Sequence, residues 1–199
     1  DLAGRLWVNP GEIASNGLDD DGNGYVDDVH GWNARDHNGN VNDTHGHGTA
    51  VAGIAGAATD NALGIAGVCW DVRLMALMHS GPDVLPTASS VIELIDYAIT
   101  QKERGVDIVA LNMSLLVVDF SQAFEDALAA AGNVGILVAA AAGNSNLHLE
   151  VMPLQPAASD LPNVITVAAT DRFDNRADFS NFGRFTVDVA APGKEVPTS

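Results

Sequence analysis

Between residues 72 and 190 this chain alternates short apolar runs with stretches of helical length, an order that few architectures accept. The run 72–78 is apolar and of strand length, 106–114 is rich in β-branched residues, and 134–141, 163–169 and 186–190 continue the series. Residues 86–104 read as a helix, because Val91, Leu94, Ile95 and Ala98 share one face and Gly105 stops it. A second helix over 120–131 is closed by Gly132-Asn133. Strands separated by helices pair in parallel, each crossover returning right-handed to the same sheet. The expectation is an α/β chain with a mainly parallel central sheet. In such sheets sites lie beyond the carboxyl ends of the strands, where Ser114 and Asn144 both fall. No repeat or linker interrupts the pattern, so residues 1–199 read as a single domain.

Ahead of it, residues 1–46 are polar, glycine-rich and acidic, and read as a long surface segment. The whole chain has 9 basic and 26 acidic residues, a net charge of −17, which argues against nucleic acid or an anionic membrane as partner. No apolar run approaches membrane-spanning length. Clustered carboxylates suit a hard cation instead, and Asp19-Asp20-Asp21-Gly22-Asn23-Gly24-Tyr25-Val26-Asp27-Asp28 carries the spacing of a calcium loop. Asp19, Asp21 and Asn23 take the first, third and fifth positions, Gly24 the turn at the sixth, Tyr25 offers its carbonyl at the seventh, and Asp27 takes the ninth. His30 stands at the twelfth, where an EF-hand has a bidentate glutamate, so the loop is not a standard one; Asp20 or Asp28 can supply the missing oxygen. The simpler alternative is a solvated acidic turn. Asp36, Asn38, Asn40 and Asp43 form a second, weaker oxygen-rich group. His45 and His47 do not make a zinc site, which on a helix needs histidines four apart with a glutamate between. Cys69, the single cysteine, lies between Val68 and Trp70 and reads as a buried, inert thiol.

One string carries chemistry. His47-Gly48-Thr49-Ala50-Val51-Ala52-Gly53-Ile54-Ala55-Gly56 sets an imidazole at the head of an apolar helix. Its glycines let neighbouring backbone come close, as a buried helix requires. A histidine held there is placed for general acid–base work. The string resembles the histidine motif of the subtilisin-like serine proteases, the subtilases, and further segments match that family in order along nearly the whole chain. The resemblance implies a three-layer α/β/α fold with calcium sites, His47 as the catalytic base and Asn144, after Gly143, as the oxyanion donor. It assigns Asn112-Met113-Ser114 to the substrate-binding strand and Ala141, Ala142 and Gly143 to the wall of the specificity pocket. Where the family has a glycine after that strand, this chain has Leu115 and Leu116, followed by Val117 and Val118. Residues 178–183 and 189–193 match structural segments, so Ser180 belongs to a turn and is no nucleophile.

A subtilase orders its triad Asp, His, Ser along the chain. No Asp-Thr-Gly, Asp-Ser-Gly or Gly-Thr-Ser-Met-Ala occurs here, and Ser199 matches a strand position. The chain therefore reads as a middle piece of a subtilase domain, incomplete at both ends and inactive alone. The implied whole protein is a secreted, calcium-stabilised, monomeric serine endopeptidase acting on protein or peptide substrates, with a propeptide in many family members. The rivals are a non-catalytic, calcium-dependent peptide-binding module and a purely structural domain.

Overall fold

Parallel pairing is present, but it is divided between two sheets rather than gathered in one. The computed structural model describes residues 1–79, 85–117 and 119–198. Val118 and Ser199, on which two sequence readings fall, lie outside them. The chain forms two compact units, Asp1–Val84 with Pro197–Ser199, and Leu85–Val196.

The first unit contains β1 (Gly31–Asn33), α1 (His47–Gly56) and β2 (Ala76–Met78), with β1 and β2 paired in parallel and Trp32 opposite Leu77. The sequence gives no sign of β1, whose three residues are too few for any periodicity to show. Gly31 is required there: at φ 134° a Cβ would fall 1.9 Å from the Ala76 carbonyl oxygen. β2 is shorter than the expected 72–78, because Leu74 bonds instead to the chain's start, its N–H to Arg5 O and its carbonyl accepting from Trp7 N. In α1 only Gly53 and Gly56 are buried. Val72 closes on Gly56 so tightly that a Cβ would meet its Cγ1 at 2.5 Å, which is the close approach the glycines predict. The remainder of α1 is half-buried or exposed, unlike the expected buried helix.

The second unit holds α2 (Ala88–Glu103), β3 (Ala110–Met113), α3 (Gln122–Asn133), β4 (Leu137–Ala141), β5 (Val164–Thr170) and β6 (Val189–Pro192). Its sheet runs β3-β4-β5-β6, parallel throughout, with Ala110 opposite Leu137, Val138 opposite Val164 and Val167 opposite Val189. Thr87 caps α2: its hydroxyl accepts from Ser90 N while Ser90 Oγ accepts from Thr87 N. Its buried face carries Val91, Leu94, Ile95 and Ala98, as the sequence spacing predicts, together with Tyr97 and Gln101. Ser121 caps α3 and directs Phe124 and Leu128 into the core. Strand alternation sets Leu111, Met113, Val138, Ala140, Val164 and Ala168 inside, while Leu137, Ile165 and Val189 remain exposed on the other face. No helix among the described residues is long and apolar enough to cross a membrane.

Candidate active site

His47 is the first residue of α1 and is exposed. The helix has no cap from its own N-cap residue, Gly46, which turns at φ 89°. Asp43 does that work from further back. Its Oδ1 accepts from His45 N (2.9 Å) and Gly46 N (2.8 Å), and its Oδ2 accepts from Thr49 N and Thr49 Oγ1, both at 2.8 Å. Partial burial pushes the Asp43 carboxyl upward, but the bonds from Gly46, Thr49 and His45 outweigh it and hold it well below the usual carboxylate range. Asp43 is thereby committed to the helix start. The asparagines of the second oxygen-rich group are likewise engaged locally: Asn38 Oδ1 accepts from Asn40 N, and Asn40 Oδ1 from Asn42 N.

The His45 and His47 rings stand 6.3 Å apart, edge to face. His79, directly after β2, is a further neighbour of His47, and no motif in the sequence marks it. Burial first, and then the charge of His47, push its imidazole below the ordinary value.

Asn144 lies in the second unit, three residues past the end of β4, and is exposed. Its position is governed by Asn181, which is fully buried. Asn181 Oδ1 accepts from Ser145 N (3.0 Å) and Leu147 N (2.9 Å), its Nδ2 donates to Ala142 O (2.8 Å), and its own N–H donates to Gly143 O (2.9 Å). Gly143 makes this possible: at φ 106° any Cβ would fall 2.4 Å from Asn181 Nδ2. The turn that presents Asn144 is thus clamped on both sides by one amide 37 positions downstream. Ser180 is buried, accepts from Ala169 N and donates to Asn181 O, the role of a turn residue.

Ser114 follows β3, its hydroxyl accepting from Asn112 Nδ2 at 3.0 Å, and it is half-buried with Leu115 and Leu116. Leu116 packs against the cluster of Ala142, Leu149, Ala157 and Ala168. Ala142 belongs to that core, Gly143 is buried, and Ala141 is half-buried.

In the acidic segment the carboxylates divide. Asp27 accepts from Asn16 N and Gly17 N, both at 3.0 Å, and Asp19 from Asn23 N (3.0 Å) and Gly24 N (2.9 Å). Asn23 Oδ1 accepts from Tyr25 N at 2.7 Å, so its amide nitrogen faces the carboxylates. Of the carboxylates that the loop spacing offers for calcium, Asp21 and the alternative Asp28 join a convergent group, whose third member is Glu12. Cys69 is exposed, against expectation, as are Val68 and Trp70. Backbone bonds from Val68 N to Ile54 O and Cys69 N to Ala55 O hold this stretch along α1, and its side chains face outward.

Comparison with known proteins gives one consistent result. A family model described as "Subtilase family" matches residues 8–199. A thermophilic serine proteinase of Bacillus sp. (strain AK1) is 38% identical over 150 residues, 75% of this chain and 35% of the relative. Thermitase of Thermoactinomyces vulgaris is 36% identical over 175 residues, 86% of this chain and 59% of the relative. The crystal structure of a cold-adapted subtilisin-like serine proteinase superimposes with a TM-score of 0.71 at 30% identity, covering 85% of this chain and 56% of that one. The chain thus spans between about a third and three fifths of the length of these relatives.

Proposed function

This chain belongs to the subtilase family, and on that premise we propose that the whole protein is a secreted, calcium-stabilised serine endopeptidase cleaving peptide bonds through an acyl-enzyme. Its substrates are proteins or peptides, a propeptide accompanies its folding, and it works as a monomer. His47 takes the proton of the nucleophilic serine and later returns it to the leaving amine. Its place as the first, exposed residue of a helix anchored by Asp43 supports that role. Asn144 donates its side-chain amide to the oxyanion of the tetrahedral intermediate. An amide suits this because it carries a dipole without a charge to desolvate, provided it is oriented beforehand. The observation that carries the reading is the clamp of Asn181 on the Gly143-Asn144 turn, which leaves the Asn144 side chain exposed on a fixed backbone.

Ser114 and the residues after it, Leu115 and Leu116, are assigned to substrate contact along β3, where an extended peptide adds as a further strand. The packing of Leu116 against the core narrows its share in that contact. Calcium is assigned to the acidic segment before β1, for which the oxygen-rich residues 12–28 are the support.

The test is kinetic and uses the full-length protein. Asn144→Ala lowers kcat by about 10²–10³-fold with KM little changed, the size expected for one lost oxyanion donor. His47→Ala abolishes turnover to a still greater extent. Wild-type kcat in either variant overturns the assignment of that residue. Peptide binding by a wild-type protein that never hydrolyses peptide favours the binding module instead.

A further inference from the structure

We propose that Glu12, Asp21 and Asp28 are the carboxylate ligands of one calcium ion, Asp21 keeping its place in the loop while Glu12 and Asp28 stand in for Asp19 and Asp27; this rests on the calcium reading above. One oxygen from each of the three lies within 4.8 Å of the others. Calcium binds oxygens at about 2.3–2.6 Å, so two ligands across one ion stand up to about 5 Å apart. The three oxygens therefore fit a single ion, and all are of the hard type that calcium takes.

Glu12 shows the fit most directly. Its Oε1 is anchored by Asp20 N (2.9 Å) and Asp21 N (3.3 Å). Its Oε2 is buried and has no hydrogen-bond partner among the described residues. A carboxylate oxygen withdrawn from water without a donor is unfavourable, and a cation is the partner that removes the cost. The segment carrying Glu12 is pressed onto the loop: a Cβ on Gly11 would fall 2.6 Å from Asp21 Cβ.

Two amides space the other ligands. Asn9 Nδ2 donates to Asp21 Oδ2 (3.0 Å) and to Asp28 Oδ1 (2.9 Å), while its Oδ1 accepts from Gly11 N, which fixes which way the amide points. Asn23 Nδ2 donates to Asp28 Oδ2 at 2.9 Å. Asp28 itself has no exposed surface. Asp19 and Asp27 each have both carboxylate oxygens engaged by backbone N–H groups. Asp21 takes one such bond, from Asn23 N at 2.9 Å, and Glu12 takes its two on Oε1, leaving Oε2 free of them. The ion would therefore fasten the segment around residues 9–12 to the acidic run, rather than close the run upon itself.

The experiment measures calcium stoichiometry of the full-length protein by calorimetric titration with calcium chloride, alongside thermal unfolding in calcium and in chelator. Glu12→Gln keeps the side chain's length and an oxygen for the Asp20 and Asp21 N–H groups, so it melts with wild type in chelator. We expect Glu12→Gln to bind one calcium fewer per chain and to lose part of the calcium-induced rise in Tm. Asp27→Asn should bind as many ions as wild type. Full stoichiometry in Glu12→Gln overturns the ligand set, and a lost ion in Asp27→Asn would return the site to the EF-hand order. A wild-type protein that binds no calcium overturns the calcium reading itself, and this inference with it.

Discussion

The two units of this chain keep their shape by different means. In the second, large side chains fill a core: Tyr97, Phe124, Ile95, Leu128, Ile136 and Leu149 are all fully buried. In the first, the buried hydrophobic residues among those described are Trp32, Ala34 and Ala57, and polar groups take over. Asp19, Asp27, Asn33 and Asp43 each accept two or more backbone N–H bonds, so the loops answer their backbone polarity with side chains instead of strands or helices. Hydrophobic burial is indifferent to protons and cations, whereas carboxylate acceptors are not. Chelators should therefore act chiefly on the first unit, whereas acid also reaches Glu150 and Asp171 of the second, each of which accepts two backbone N–H bonds.

The largest effect expected from breaking it is in the second unit's core. Phe124→Ala removes a fully buried ring and should cost about 3–5 kcal/mol by denaturant unfolding, by the same amount with and without calcium. A cost that depends on calcium would erase the distinction. Asn181→Ala comes next, because there, as at Glu150 and Asp171, the second unit uses the first unit's device. It leaves Ser145 N, Leu147 N and Ala142 O without the partner they have, at about 1–3 kcal/mol for an abandoned buried group. Turnover should fall with it, through loss of Asn144's orientation, and peptide KM should move less than kcat.

The smallest effect is the most specific. Asp43→Ala should cost about 0.5–2 kcal/mol, read as faster hydrogen exchange of the α1 amides, the penalty of a lost cap. Acid should do the same to wild type. The folded Asp43 carboxyl sits below its ordinary value of 3.8, so its contribution is complete above that pH and fades as pH falls toward the folded value. His79 is lowered from 6.5, so the folded state binds its proton less readily than the unfolded, and stability is also lost as pH drops below 6.5. Two acid steps in α1 exchange, the lower one missing in Asp43→Ala, would sharpen the comparison. Acid sensitivity confined to α2 and α3 would break it.

Where a hydrophobic period exists, the fold is legible before any coordinates. The Val91, Leu94, Ile95 and Ala98 stripe and the apolar runs of β4 and β5 gave their elements to within a few residues. The start of α1 at His47 was equally plain. β1 was not, since Gly-Trp-Asn has neither alternation nor length, and its pairing depends on Gly31 meeting Ala76. The site divides likewise. His47 and Asn144 stand out through their neighbours in sequence, but Asn181, which orients one of them, looks like any turn asparagine. Cys69 misled because apolar neighbours in sequence need not be neighbours in a core.

Sequence by itself determined the parallel α/β class, the helix that opens on His47, the Gly143-Asn144 turn and an acidic segment suited to a hard cation, because periodicity, glycine and charge density act locally. Tertiary structure alone decided which acidic groups converge. Glu12 and Asp28 are 16 positions apart, and a carboxylate engaged by Asn16 N is written with the same letter as one that faces two others. What separates them is where the chain returns in space, and that is settled by packing over distances no local pattern records.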